Sequence, residues 1–109
     1  MYLFSEKIAI RYGVNRAIFM QFLWNNLNPE RRNEKIRKIN GERWYRCSVQ
    51  MIHGYLPYLS KNQIKRTISF LVENNLLKKG SYNENPFDRT NWYAFTEYGK
   101  YLMKEENEK

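Results

Sequence analysis

Six polar side chains in one short run could read and hold a nucleic acid: Lys61, Asn62, Gln63, Lys65, Arg66 and Ser69. They alternate with Ile64, Ile68, Leu71 and Val72, whose spacing predicts a helix with one apolar side. Turning that side inward puts Lys61, Asn62, Lys65, Arg66 and Ser69 on the opposite face. Asn and Gln can pair bidentately with adenine, and Arg and Lys with guanine O6 and N7. The cations can also neutralise phosphates and release counterions. The N-terminal part of a recognition helix usually meets base edges, and here that part is Lys61 to Arg66. Every amphipathic helix has a solvated face, so this chemistry needs support from its surroundings.

The surroundings supply it. Ser48 can cap a short helix whose apolar side is Val49, Ile52, Leu56 and Leu59. Pro57-Tyr58-Leu59-Ser60 breaks that helix, and Ser60 can cap the basic one. Asn74-Asn75 ends it, because Asn tolerates the left-handed conformation. Residues 76–82 and 91–96 then read as two strands around a long polar loop rich in turn formers. Trp92 and Ala94 should point one way, Tyr93 and Phe95 the other. The expected fold is therefore α+β, a winged helix-turn-helix in a single domain over 1–109, with the helix-turn-helix near 48–74 and the wing near 76–96. Arg89 in the wing loop joins the candidate DNA contacts.

The flanking segments read as additions to that frame. Residues 5–12 form a short leading helix with Ile8 as its anchor, ended by Gly13. Asn15 is an N-cap for a helix from about Arg16 to Leu27, apolar on almost every side. Such a helix is normally covered on several sides, although one flank could serve a homodimer. Residues 28–33 are a polar connector. Asn40-Gly41 between two alternating runs signals an extra hairpin pairing Ile39 with Glu42, Lys38 with Arg43 and Arg37 with Trp44. A phosphate over the like-charged Lys38–Arg43 pair would relieve its repulsion, so both are candidate backbone contacts. Trp44 and Trp92 are expected in the core, not stacked on bases. Thr96 caps a final helix carrying Tyr98, Tyr101, Leu102 and Met103.

The charge agrees with a polyanionic partner. The chain carries net +8, and residues 31–79 hold twelve Lys/Arg against three Glu, which is +9, so the rest sums to about −1. Other classes find little support. Cys47 and His53 each stand alone, so no disulfide, metal or cofactor framework is expected. No glycine-rich phosphate loop, no HExxH-type pair and no clustered carboxylates beyond the Glu105-Glu106-Glu108 run are present, and the chain is not expected to be an enzyme. No leader or membrane span is recognisable, which makes a cytoplasmic setting the expectation.

Four pieces carry a family resemblance: Gly41-x-x-Trp44, the run from Leu56 to Arg66, Leu71-x-x-Asn74-Asn75-Leu76-Leu77, and Phe87-Asp88-Arg89-Thr90-x-Trp92-Tyr93. Together they resemble the winged-helix N-terminal domain of phage replisome organizers and DnaD-like replication initiation proteins. The last piece is the most specific, and the likeness covers about residues 40–98. It implies a double-stranded-DNA-binding module of a phage, prophage or plasmid replication system, with replication proteins as further partners. Members of that group usually continue into a second domain that recruits helicase machinery. A winged helix that binds a protein, or a transcriptional regulator, remains the alternative reading.

Overall fold

The computed structural model describes residues 5–27 and 35–107. Among them five helices flank one four-stranded antiparallel sheet, an α+β arrangement. The elements are α1 (Glu6–Tyr12), α2 (Val14–Asn26), β1 (Ile36–Ile39), β2 (Glu42–Arg46), α3 (Val49–Tyr55), α4 (Lys61–Glu73), β3 (Leu77–Gly80), β4 (Trp92–Phe95) and α5 (Glu97–Asn107). The expected connector over 28–33 lies outside the described residues. None of the described helices is long and apolar enough to cross a membrane.

Local chemistry sets most boundaries. Ser5, Ser48 and Ser60 each accept a hydrogen bond from the backbone N–H three residues on. Asn75 at φ 61 takes the left-handed conformation, and the Asn75 and Leu76 N–H groups close back on the Val72 and Leu71 carbonyls. That double closure is a Schellman motif, and it turns the chain straight from α4 into β3. Asn40 at φ 53 and Gly41 at φ 80 form the two-residue turn that joins β1 to β2 in the expected register.

Three features differ from the sequence expectation. Helix α2 begins at Val14, not Arg16, and Asn15 lies inside it. Gly13 at φ 103 both ends α1 and starts α2, so no side-chain cap intervenes. The two later strands are shorter than 76–82 and 91–96, because the ladder stops at the Gly80–Trp92 pair. The hairpin of β1 and β2 is no appendage. The order β1-β2-β4-β3 welds it to the later pair through Tyr45–Tyr93 and Arg46–Trp92.

Paired residues share a face, so the register divides the sheet. Tyr45, Tyr93, Phe95 and Leu77 face the helices and join the main core with Phe19, Met20, Leu23, Ile52, Ile64 and Leu71. Trp44, Trp92 and Ala94 face the other way and make a second cluster with Ile39. Both tryptophans are core residues, as expected.

Helix α5 seats against the α4–β3 corner. The Thr96 hydroxyl donates to the Asn75 carbonyl at 2.6 Å and accepts from the Gly99 N–H at 3.0 Å. A Cβ on Gly99 would meet the Leu76 carbonyl oxygen at 2.2 Å. Replacing a helical glycine by alanine normally stabilises by about 1 kcal/mol. Here the sign should reverse, with Gly99→Ala destabilising by roughly 1–3 kcal/mol through the forced backbone shift. Thermal melting decides it, and a variant as stable as the wild type would refute this close approach.

Candidate nucleic-acid interface

Helix α4 carries the site. Its inner side is Ile64, Thr67, Ile68 and Leu71, all buried. Thr67 escapes notice in the sequence because its hydroxyl is polar, yet it donates to the Gln63 carbonyl at 2.7 Å and so can be buried. Lys61, Asn62, Lys65, Arg66 and Ser69 are all exposed on the outer side. The helix is fixed at both ends, by the Ser60 cap and by the Asn75 closure. His53 adds a brace in the preceding turn, its Nδ1 bonding the Leu59 carbonyl at 2.7 Å.

Gln63 is placed differently from the expectation. Its Oε1 accepts from the Ser60 N–H at 2.8 Å, while the Ser60 hydroxyl accepts from the Gln63 N–H at 3.1 Å. This reciprocal capping box engages the Gln63 amide oxygen at the helix start, and Asn62 lies exposed beside it.

Arg43 has a partner within the fold. Its Nε donates to the Leu27 carbonyl at 2.9 Å, and it lines a cavity that α4 does not reach. Lys38 and Arg43 pair on the helix-facing side of the sheet, at its β1 edge. Lys38 remains exposed.

Among the described residues, Arg37, Arg46, Lys78 and Lys100 form salt bridges. Glu42 takes Lys78 at 2.9 Å and Lys100 at 2.7 Å. Burial would raise its carboxyl, but the hydrogen bonds from Lys100 and Lys78 prevail and hold it below the ordinary range. Among the described residues, no salt bridge engages Lys61, Lys65 or Arg66. Beside α4 runs a groove of about 480 Å³ between its Gln63, Arg66 and Thr67 and the Tyr12–Arg16 turn. Arg16 in that groove stacks over Phe70 at 3.5 Å and donates to the Tyr12 carbonyl at 2.8 Å. The sequence gives no hint of this neighbour, since α2 and α4 lie far apart along the chain.

The loop over 81–91 is built, not slack. Asn83 is its hub: Oδ1 accepts from the Trp92 indole at 2.9 Å, and Nδ2 donates to the Asp88 and Thr90 carbonyls at 3.0 and 2.7 Å. Tyr82 lies edge-on to Trp44 and Trp92. Asp88 turns inward to pair with Arg46, whereas Arg89 is exposed.

No family model matches the chain, and no curated protein or solved structure matches it either. Burial pushes the Cys47 thiol up to about 12, which leaves it protonated and unreactive at neutral pH.

Two expectations follow. Gln63→Ala should lower stability by roughly 0.5–1.5 kcal/mol, because the Ser60 N–H loses its partner. It should weaken binding to all DNA sequences alike, and a change of preferred sequence without a stability loss would restore the base-reading role. The second concerns Asp88. The Thr90 backbone N–H, then the Arg46 hydrogen bond, hold its carboxyl down at about 2. A depressed carboxylate contributes stability above the unfolded value of about 3.9 and loses it as pH falls through the folded one. The loop should therefore stay closed down to about pH 4 and loosen between there and about 2. An NMR titration of the Asp88 carboxyl carbon checks it; a midpoint near 4 would mean the Arg46 and Thr90 contacts do not persist in solution.

Proposed function

We propose that this domain is a winged-helix module that binds double-stranded DNA, with α4 as its recognition helix. One observation carries the reading: α4 presents Lys61, Asn62, Lys65, Arg66 and Ser69 on one exposed face, its cations unengaged by any described carboxylate. A thirteen-residue helix is about 20 Å long, a length the major groove accepts end-on or obliquely. Asn62 can read adenine. Lys65 and Arg66 can meet guanine or flanking phosphates, and Lys61 sits at the helix start where base edges are nearest. In this reading β3, β4 and the loop between them are the wing, and Arg89 adds a backbone or minor-groove contact. Gln63 and Arg43 act on the fold rather than on DNA.

The biological setting is the initiation of replication in a phage, prophage or plasmid, inside a bacterial cytoplasm. It rests on the likeness of Phe87-Asp88-Arg89-Thr90-x-Trp92-Tyr93 and the other quoted pieces to replisome organizers. No catalytic step is part of the proposal. A protein-binding role is the second reading, and one observation favours it: Phe87 is 89% exposed at the turn of the loop. Salt dependence separates the two. Each phosphate-neutralising cation removed flattens the slope of log affinity against log salt by roughly 0.9. A lost base contact instead costs about 1–3 kcal/mol on the preferred site and little on random DNA. Fluorescence anisotropy on duplex DNA should therefore give a shallower slope for Lys65→Ala and Arg66→Ala, and lost preference for Asn62→Ala. Wild-type protein without salt-dependent binding, or variants that bind as well as it does, would turn the reading over to a protein partner.

A further inference from the structure

A second concavity lies away from α4. It measures about 360 Å³ and is enclosed by the end of α2, the β1–β2 turn, β4 and α5. Its walls are Trp24, Leu27 and Phe95, with the Trp24 and Phe95 rings edge-to-face at 5.7 Å. Its polar lining among the described residues is Glu42, Arg43, Lys100 and Lys104. Glu42 is shared between Lys100 and Lys78, and Lys100 also lies 3.5 Å from Glu97. The cavity thus joins an apolar interior to a mouth where no described salt bridge engages Lys104, inside the size range of small-molecule sites.

We propose that this cavity binds a small organic monocarboxylate with an aromatic or short alkyl body. The body fills the space beside Trp24, Leu27 and Phe95, and the carboxylate meets Lys104. The cavity's volume of about 360 Å³ suits a compact ligand. Arg43, which the sequence suggested for DNA, is held here by the Leu27 carbonyl. Lys104 is exposed in the last turn of α5, so its charge can be changed without disturbing the core.

The test uses the full chain and two probes, indole-3-propionate and octanoate. Amide and methyl NMR spectra should show saturable shifts at the Trp24 indole N–H and the Leu27 methyls. The methyl esters should bind severalfold more weakly, and tryptamine, which replaces the carboxylate by an ammonium, should not bind. Lys104→Glu should weaken the carboxylates severalfold with an unchanged melting temperature, while Lys65→Ala should leave them unaffected. Esters that bind as well as acids, shifts confined to α4, or no saturation with either probe would each overturn the proposal. An acidic tryptophan-bearing peptide that shifts these signals when neither probe does would also overturn it, in favour of a macromolecular groove.

Discussion

Strand β4 is the constraint on which this fold depends. Trp92, Tyr93, Ala94 and Phe95 are all buried, and the strand is paired on both sides. Successive side chains point to opposite faces, so both faces of the sheet must be covered here. The helices cover Tyr93 and Phe95. The loop over 81–91 covers Trp92 through Tyr82 and Asn83, with Arg37 over the ring at 5.5 Å. A buried indole N–H needs an acceptor, and the Asn83 oxygen supplies it. Asn83 then holds the Asp88 and Thr90 carbonyls, and Arg46 reaches both Asn83 and Asp88. Burying one tryptophan on the outer face of the sheet thus dictates the shape of a whole surface loop.

The same strand fixes the pose of α4. The left-handed Asn75 leads directly into Leu76 and Leu77, both buried, and β3 is locked to β4 from its first residue. Thr96, just beyond β4, bonds the carbonyl of Asn75. The C-terminal end of α4 is therefore tied to β4 from two directions, and its N-terminal end is closed by the capping box. Little ordering remains for the helix when a partner arrives, so the proposed contact would lose less side-chain and backbone freedom than a floppy helix would.

How much of this the sequence reveals depends on the range of the interaction. Caps, the Asn-Gly turn, the α4 periodicity and the inward Trp92 are set within a few residues, and each is legible. The β2–β4 pairing is not, since Tyr45 meets Tyr93 across nearly half the chain with no local mark. The α2 start is misjudged because Asn15 is a good cap in isolation, whereas Gly13 reaches a φ that removes the need for one. The candidate site divides in the same way. The outer face of α4 follows from periodicity alone. Gln63 is ambiguous because an amide three residues after a capping serine suits both a base edge and a capping box, and local closure decides it. Arg43 depends on where the end of α2 lies, which the sequence around it does not carry.

These ties also sort the charge. The excess of +9 over residues 31–79 suggests a diffuse basic surface. The fold withdraws part of it: Lys78 faces Glu42, Arg46 faces Asp88, and Arg37 lies 3.7 Å from Glu84. A cation paired inside the fold gains little from a phosphate, because it must give up its carboxylate first. Lys61, Lys65 and Arg66 on α4 carry no such penalty, and among the described residues neither do Lys38, Lys79, Arg89 and Lys104 elsewhere. The acids of the loop lose force by the same logic. Asp88 is turned inward and Glu84 lies near Arg37, which leaves Arg89 as an exposed charge beside them.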